Sequence, residues 1–398
     1  MKKIVLASAI SALFAAPVAS FAQAKPPAIP TLGQIFEASG ITESGYIDAG
    51  YSYAKNGAGF TDRVFDQNPN SFALNQFGLT LAKQPKEGFG GLVNVTVGRD
   101  AQFIHSFPEV NAFPAPTVFN STSMFDITQA YAQYAGGPLT VIAGKFTTLH
   151  GTEVIAPTGN VNISRSILFG SVPFTHTGVR ATWALSDTFS LIAGLNNGWD
   201  QLTDSNKGKT VELGLTANPV KPLNIALSAY SGKESIAPNG SLTSLTAPDG
   251  TRTSVDLVVS YQITDPLSVG IEYLSLSQKN FGELTNGTPT GNSITGKYSG
   301  FAGYITYMFT PKFRGSVRLE SFDDKDGVRF AQPVGPGETN GAQKFKEATL
   351  TVAYLPADSF ELRVEGRQDS ADQKSFSDSH ANTSKSMSTL AFSALYKF

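Results

Sequence analysis

The sequence contains no cysteine among its 398 residues. Disulfides, zinc–thiolate sites and cysteine nucleophiles are therefore excluded, and a large exported protein can do without disulfides when its core or closed sheet suffices. Charge is also scarce, because Asp, Glu, Lys and Arg make up 16% of the chain, against about 25% in typical soluble domains. The net charge of −2 argues against a nucleic-acid partner, which requires a basic surface.

A long apolar run of the kind that forms a membrane helix, about 20 residues, is also missing. At the start of the chain, Lys2 and Lys3 precede a shorter apolar run over residues 4–16, and a small-residue stretch then ends at Ala24. This order is typical of a secretory signal peptide, and we place cleavage after Ala24, with Ala22 as the alternative. An exported chain without a membrane helix is either a soluble periplasmic or secreted protein or a β-barrel.

The chain is predicted to have three regions. They are a signal peptide at residues 1–24, an N-terminal periplasmic lead at residues 25–44 and a transmembrane β-barrel at residues 45–398. The lead is rich in Pro at first, and residues 31–38 then predict one or two helical turns. Removing the signal peptide leaves 28 basic side chains against 32 acidic ones, so the mature chain is slightly acidic.

Segments of about ten residues with alternating apolar and polar side chains recur from residue 45 to the end. Between Phe360 and Arg367, every odd position is charged and every even position is apolar or glycine. This period and length match tilted strands that cross a bilayer. A half-buried strand of a soluble sheet shows the same alternation, so the connections between strands must discriminate.

The connections alternate between short turns and long polar loops, which is the pattern of bacterial outer-membrane barrels. The predicted long loops span residues 100–125, 147–172, 233–251, 277–295, 323–341 and 370–385. The predicted strands span residues 45–54, 72–82, 89–99, 126–135, 138–147, 174–185, 188–199, 208–218, 222–232, 252–262, 266–276, 297–309, 312–322, 343–355, 358–369 and 386–398. We therefore predict an all-β fold: a transmembrane antiparallel up-and-down β-barrel of about 16 strands, with short periplasmic turns. The fourth and fifth strands show no clean apolar face.

The last strand ends in its apolar register, on Phe398. Leu390, Phe392 and Tyr396 share its parity, whereas Ser393 and Lys397 fall on the other face. This ending resembles the terminal strand of bacterial outer-membrane barrels, whose final residue is typically Phe. The resemblance implies that Phe398 is an assembly signal for the barrel-assembly machinery, and that the protein is located in the lipid of the cell outer membrane.

Several motifs resemble the OmpL-like group of outer-membrane β-barrel porins. They are Ala143-Gly144-Lys145-Phe146, Gly151-Thr152-Glu153, Asn162-Ile163-Ser164-Arg165-Ser166, Pro173-Phe174-Thr175-His176-Thr177-Gly178-Val179-Arg180, Asn197-Gly198-Trp199-Asp200 and Asn206-Lys207-Gly208-Lys209. The resemblance extends over most of the mature chain from Gly40 onward. It implies a porin whose water-filled channel passes small hydrophilic solutes and ions by passive diffusion. Analogy with general porins adds the expectation of a homotrimer.

Charged side chains of the predicted strands lie on the parity opposite the apolar residues, where they are expected to line the pore. These residues are Arg180, Glu212, Arg252, Asp256, Glu272, Arg314, Arg318, Glu320, Glu361, Arg363, Glu365 and Arg367. Charge on the lipid face would cost about 2–4 kcal/mol for Arg or Lys at the midplane. The charges either set ion preference or neutralise their neighbours on adjacent strands, and both roles can hold together.

The long connection Thr147–Val172 follows the predicted fifth strand. By resemblance to general diffusion porins, this loop folds inward and narrows the pore, with Glu153 and Arg165 as its charged members. Its apolar side chains, such as Ile167 and Phe169, need cover that the inner wall would supply. The alternative is an ordinary external loop.

Two other classes of function are considered. An outer-membrane hydrolase could combine Ser164, His176 and Asp200, but no nucleophile elbow supports this set, and we predict no enzyme. The four histidines lack metal-ligand spacing, so neither a metal nor a cofactor is predicted. A non-conducting adhesin or structural barrel would need a plugged lumen, whereas small inward residues such as Gly300 and Ser316 argue for open space.

Overall fold

The computed structural model describes residues 30–54, 62–66, 69–106, 123–235, 250–285, 288–330, 342–377 and 383–398. The predicted signal peptide lies outside these residues. Helix α1 (Leu32–Ser39) contains the predicted helical turns. Its first turn is closed by a capping box, in which the side chains of Thr31 and Gln34 each accept a hydrogen bond from the other residue's backbone N–H. Gly40 ends the helix in the left-handed conformation, with a φ of 69°.

Sixteen strands of the described residues form one closed antiparallel barrel. They are β1 (Thr42–Ala54), β2 (Ser71–Lys83), β3 (Gly88–Val97), β4 (Phe125–Gly136), β5 (Leu139–Thr147), β6 (Thr175–Ser186), β7 (Phe189–Asn196), β8 (Thr210–Ala217), β9 (Leu223–Glu234), β10 (Gly250–Thr264), β11 (Leu267–Thr285), β12 (Thr288–Thr310), β13 (Phe313–Asp324), β14 (Gln343–Ala357), β15 (Phe360–Ala371) and β18 (Ser386–Lys397). The predicted fold class is confirmed. A short helix α2 (Ala101–Ile104) follows β3, and a separate hairpin of β16 (Phe376–Ser377) and β17 (Thr383–Ser384) precedes β18.

Closure pairs the last barrel strand with the first. Strand β18 lies antiparallel to β1, with Ala49 opposite Ala394, so the sheet has no free edge. Every backbone group that faces lipid then finds a partner within the sheet. Within the described residues, no helix has the length and apolar character needed to cross a membrane.

The two faces of the barrel reverse the polarity of a soluble protein. In β15, Leu362 and Val364 are 43% and 44% exposed, whereas Arg363 and Glu365 are each 2% exposed. Apolar side chains therefore cover the outer surface and charged side chains lie on the inner surface, as expected when the outer solvent is hydrocarbon.

A β-bulge explains why the fourth strand lacks a clean apolar face. Gln129 pairs with Asn94 of β3, but Ile127 pairs with the next residue, Val95, which leaves Thr128 as the extra residue. Phe125 and Ile127 are therefore exposed before the bulge, whereas the exposed positions after it have the opposite parity. The bulge also brings two successive polar side chains, those of residues 128 and 129, toward the interior.

The predicted loop at residues 277–295 is largely wrong. Strands β11 and β12 continue pairing far beyond their predicted ends, with Gln278 opposite Gly296 and Phe281 opposite Ile294. The alternation of apolar and polar residues does not indicate a strand here, because it inverts within β11. The outward positions change from Tyr273 to serine, whereas the inward positions become Leu274 and Leu276. Such an inversion is expected where a strand leaves the lipid, since its outer face then meets water and its inner face packs.

An apolar cluster inside the barrel was not predicted. Its buried members come from β11 to β14, from β16 and from the loops: Ile167, Leu168, Val172, Trp199, Leu274, Leu276, Phe281, Tyr298, Ala302, Tyr304, Phe322, Val328, Phe330, Phe345 and Phe376. Phe322 lies on the same inward parity as Arg318 and Glu320, so apolar parity alone did not reveal it. This cluster fills space inside the wall formed by β11 to β14.

Candidate functional site

Residues 148–174, which connect β5 to β6, form a segment that we call the inner loop. Near its start, the imidazole of His150 contacts two hydroxyl groups of the barrel wall: Nδ1 lies 2.7 Å from Ser228 Oγ, and Nε2 lies 2.8 Å from Ser254 Oγ. Burial, together with the neighbouring His176, lowers the pKa of His150 well below its usual value. The neutral ring therefore fixes the loop to β9 and β10.

The inner loop crosses the barrel lumen. The backbone N–H of Gly151 donates to Asp256 Oδ1 of β10 at 2.9 Å, whereas the carbonyl oxygen of Ile155 accepts from Gln76 Nε2 of β2 at 3.1 Å. Strands β2 and β10 are eight steps apart in the strand order β2–β1–β18–β15–β14–β13–β12–β11–β10. In a barrel of sixteen strands these are opposite walls, so the loop spans the interior.

Pairs of backbone N–H groups in the inner loop bind carboxylates of the wall. Glu365 of β15 accepts from Ile163 N at 2.6 Å and from Ser164 N at 3.0 Å. Glu320 of β13 accepts from Ile167 N at 2.8 Å and from Leu168 N at 2.6 Å. Each carboxyl group thus accepts from two successive N–H groups, so Glu365 and Glu320 hold the loop in place.

Arg318 of β13 is the most heavily bonded member of the site. Its guanidinium donates to Glu153 Oε1 at 2.6 Å, to the carbonyl oxygen of Ser164 at 2.8 Å and to Glu347 Oε2 at 3.0 Å, and it is fully buried. Burial would raise the pKa of Glu153, but the charges of Arg318 and Arg165 outweigh it and hold that pKa below its usual value. Glu153 is therefore an ionised partner of the wall.

Arg165 folds the inner loop onto itself. Its guanidinium donates to the carbonyl oxygens of Val154, Ile155 and Ile163, each at 2.9 Å, and it lies 5.7 Å from the ring centre of Phe169. The side chain is 3% exposed, and burial lowers its pKa. Arg165 therefore closes the loop rather than projecting into open space.

Two further arginines contact carbonyl oxygens of the inner loop. Arg367 donates to the carbonyl oxygen of Arg165 at 2.6 Å, and Arg363 donates to that of Pro157 at 3.3 Å. Both side chains belong to β15 and lie beneath the loop. Asp256 of β10 and Glu272 of β11 also lie beneath the loop. They accept hydrogen bonds from the N–H groups of residues 151 and 152, each at 2.9 Å.

The remaining predicted charges bind neighbours within the wall. Arg180 of β6 donates to Glu212 of β8 at 2.5 and 2.8 Å. Arg314 donates to Glu361 at 2.9 Å. Arg252 donates to Gln278 Oε1 at 2.9 Å and lies 4.8 Å from the ring centre of Trp199. Ion pairs between strands are thus present, and the pore-lining assignment of the twelve charges stays a prediction.

A cavity of about 520 Å³ remains between the inner loop and the wall of β1 to β5. On the wall side it is lined by neutral polar side chains, those of Thr80, Asn94, Thr128, Gln129 and Thr147. On the loop side it is lined mainly by apolar side chains, those of Leu149, Val154, Ile155, Val172 and Phe174. Glu153 and Lys397 also reach it. The lining of this cavity is therefore nearly uncharged.

Several functional residues were missed in the sequence. Glu347 and Asp369 share the inward parity of the predicted charges and could have been found by that signal; Asp369 accepts from Arg367 at 2.8 Å. Gln76, Ser228 and the neutral cavity wall carry no such signal. Gly300 also has a different role, because a side-chain carbon added there would lie 2.6 Å from Leu168 Cδ1. The expected open space at this glycine is wrong, since the inner loop fills it.

The three residues considered for a hydrolase have separate partners. The Ser164 hydroxyl accepts from Arg318 at 3.1 Å, His176 Nδ1 lies 3.0 Å from the carbonyl oxygen of Gly198, and Asp200 accepts from the N–H groups of residues 174 and 175. No hydrogen bond between them is found in the described part of the chain. No group of three or more His, Cys, Asp or Glu among the described residues is arranged to hold a metal.

The closed barrel with an apolar outer surface and a loop across its lumen defines a porin of the outer membrane. Residues 40–398 match the family described as "Putative beta-barrel porin-2, OmpL-like". The chain belongs to this family. The predicted family, function as a porin channel and outer-membrane location are confirmed.

Solved structures of outer-membrane proteins share the fold. The outer-membrane channel DcaP of Acinetobacter baumannii has a TM-score of 0.59 at 15% identity, covering 90% of this chain and 97% of its own. OprB of Pseudomonas putida has a TM-score of 0.59 at 12% identity, covering 92% and 96%. The trimer form of OmpT of Vibrio cholerae has a TM-score of 0.53 at 11% identity, covering 90% and 99%. No curated protein matches the sequence.

Proposed function

We propose that small hydrophilic solutes diffuse through this porin along the passage between the inner loop and the wall of β1 to β5, and that the inner loop sets the narrowest point. One observation carries the proposal: the loop binds Asp256 on one wall and Gln76 on the opposite wall. Any solute that crosses the barrel must therefore pass beside it. The cavity of about 520 Å³ is the space that the loop leaves.

The sequence left two roles open for the inward charges: they set ion preference or they neutralise their neighbours. Their positions suggest how these roles are divided. Arg318, Glu320 and Glu365 contact the inner loop and are buried beneath it. We propose that these charges and their neighbours on β10 to β15 anchor the loop. Ion preference then depends mainly on the few charges at the cavity, Glu153 and Lys397, and is expected to be weak.

The non-conducting barrel is the alternative that the inner apolar cluster raises. That cluster lies against β11 to β14, whereas the cavity lies against β1 to β5, so filling one side leaves the other available. We therefore propose a conducting channel. We also propose that the protein is not an enzyme, because the contacts of Ser164, His176 and Asp200 are those of structural residues.

Phe398 is proposed to help close and assemble the barrel. Its backbone exchanges two hydrogen bonds with Gly45, at 2.8 and 2.9 Å, and its ring lies 6.3 Å from that of Phe77. A side chain at position 45 would collide with the Phe398 ring, which lies 2.4 Å from the added carbon. Deletion of Phe398 is expected to lower the amount of protein in the outer membrane.

The likeness to a barrel solved as a trimer supports the proposal that this porin also forms a homotrimer. The exposed apolar outer surface offers the area that such an assembly would cover. Chemical cross-linking of the protein extracted in mild detergent tests the state. Cross-linked protein that migrates only as a monomer would contradict the proposed trimer.

Shortening the inner loop tests the channel proposal. Thr147 and Thr175 are directly opposite each other in β5 and β6, so a few residues can connect them. Replacing residues 149–173 with a short Gly-Ser linker should raise single-channel conductance several-fold in a planar bilayer and admit larger solutes. The physical reason is that the segment crossing the lumen is then gone.

The matched control shortens residues 202–207, which are part of the connection between β7 and β8. This change leaves the contacts of Asp200 intact. Its conductance should equal that of the wild type. Faster migration of unheated than of boiled protein shows that each variant has closed its barrel. A folded inner-loop variant that conducts like the wild type would mean that another segment sets the narrowest point.

A further inference from the structure

Asp256 of β10 and Glu272 of β11 are buried carboxylates that keep unsatisfied oxygens. Each side chain is 1% exposed, and Asp256 Oδ2 and Glu272 Oε1 have no hydrogen-bond partner among the described residues. Glu320 offers a contrast, because both of its oxygens accept from backbone N–H groups of the inner loop. Within the described part of the chain, no basic side chain forms an ion pair with Asp256 or Glu272.

The two carboxylates meet beneath Gly151. In the register of β10 and β11, Asp256 is opposite Leu274, so Glu272 is its diagonal neighbour on the inner face. Gly151 N donates to Asp256 at 2.9 Å, and a carbon added at Gly151 would lie 3.8 Å from Glu272 Oε1. The hydroxyl oxygen of Thr152, the next residue, is also buried without a hydrogen-bond partner.

Two buried carboxyl groups with unsatisfied oxygens and a hydroxyl oxygen without a partner among the described residues are the donor atoms of a hard-cation site. A buried charge without a partner is costly, and a divalent cation would neutralise both carboxylates at once. Ca²⁺ takes six to eight oxygen ligands in flexible geometry, so water from the cavity can complete a shell that begins with two acidic residues. Gly151, which lies over both carboxyl groups, lines the cavity beside the inner loop.

We propose that Asp256, Glu272 and Thr152 bind a Ca²⁺ ion that clamps the start of the inner loop to β10 and β11. The ion would add a fixed link between the wall and the segment that crosses the lumen. Binding of the ion does not depend on which solutes the channel conducts.

Equilibrium dialysis of the purified full-length porin against Ca²⁺ tests the proposal directly. The wild type should bind Ca²⁺ at a site that Mg²⁺ fills less well, because Mg²⁺ demands near-ideal octahedral geometry. The double variant Asp256→Asn/Glu272→Gln should lose affinity at least about tenfold, because even the loss of a group that only supports a metal ligand costs about that much. Ca²⁺ should also raise the midpoint of thermal unfolding of the wild type but not of this variant.

Glu320→Gln is the matched control, because Glu320 also accepts two N–H groups of the inner loop but has no free oxygen. It should keep the Ca²⁺ response. If the double variant does not fold, as judged by unheated protein that migrates no faster than boiled protein, the single variant Glu272→Gln replaces it. Its Ca²⁺ binding is then compared with that of the wild type. Equal Ca²⁺ binding by wild type and variant would overturn the proposal. So would a wild type that ignores Ca²⁺ and is stabilised only by acid, since the pair would then share a proton.

Discussion

The two sides of the barrel lumen solve different problems. On β10 to β15, the side chains of Arg318, Glu320 and Glu365 are at most 5% exposed. All three form hydrogen bonds with the inner loop. On β2 to β5, Asn94 and Gln129 are neutral and only partly buried, and they border the cavity. One wall is thus densely charged and covered by the loop, whereas the other borders the cavity with neutral polar side chains and keeps its ion pair, Lys145 with Asp126, buried.

This difference supports the proposal that most of the charge inside this barrel anchors the inner loop. A loop that crosses a lumen exposes backbone N–H and C=O groups that require partners. The carboxylates and guanidinium groups of one wall supply them, as at Glu365 and Arg367. Among the described residues, the opposite wall forms few hydrogen bonds with the inner loop, such as that from Gln76 to Ile155, and short neutral side chains there border the cavity.

Arg318→Met is expected to have the largest effect, because it removes the central partner of the covered wall. Glu153 and Glu347 would lose a fully buried guanidinium at 2.6 and 3.0 Å. Breaking such a pair from one side costs about 3–5 kcal/mol. Urea unfolding of the detergent-folded barrel should show a loss of that size.

Arg314→Met is the matched control on the same strand. Arg314 binds Glu361 at 2.9 Å, but Glu361 also keeps Arg363 and Lys397 as partners. The loss should be on the order of 1 kcal/mol or less, as for partly exposed pairs. Equal losses for the two variants would show that the inner loop does not depend on Arg318.

Cysteine labelling distinguishes the open wall from the covered wall, and the natural chain has no cysteine to interfere. Asn94→Cys at the cavity should react with a small hydrophilic thiol reagent at least about tenfold faster than Thr351→Cys, since access limits the reaction. Thr351 is 1% exposed and accepts from Asn162 of the inner loop at 2.8 Å. Val93→Cys, which faces lipid, should also react slowly. Similar rates at positions 94 and 351 would mean that the loop leaves the charged wall open.

Much of the barrel could be predicted from the sequence because lipid imposes a simple rule. Apolar side chains must alternate outward and the sheet must close, so all sixteen strands were located. The rule fails where the environment changes. Leu274 and Leu276 face inward and are buried in the apolar cluster, and the bulge at Thr128 shifts the parity of β4.

The contacts of the inner loop could be predicted only in outline. Its length and its apolar side chains indicated that it needs cover, and Ile167 and Leu168 are fully buried. Its individual partners follow no local pattern, because Gln76 and Ile155 are 79 positions apart. Such pairs depend on the curvature of the closed barrel, which sequence periodicity does not contain.

Ion selectivity gives the finest comparison between the walls. Asn94→Arg adds a positive charge at the cavity, where a unit charge at 4 Å in water is worth about 1 kcal/mol. The permeability should rise up to roughly fivefold for anions and fall up to roughly fivefold for cations at low salt, so their ratio rises up to roughly 30-fold, and less at high salt because ions screen the charge. The reversal potential across a salt gradient measures this ratio. Asn94→Gln adds a longer side chain without charge and should leave it unchanged.

The paired experiment removes a positive charge from the covered wall. Arg363 is 2% exposed and lies between Glu361 and the carbonyl oxygen of Pro157, so Arg363→Gln should shift the reversal potential toward cations much less than Asn94→Arg shifts it toward anions. The expected asymmetry follows from position, since the loop separates Arg363 from the passage whereas Asn94 borders it. Shifts of equal size and opposite sign would mean that solutes pass both walls, and the charges of β10 to β15 would then line the channel after all.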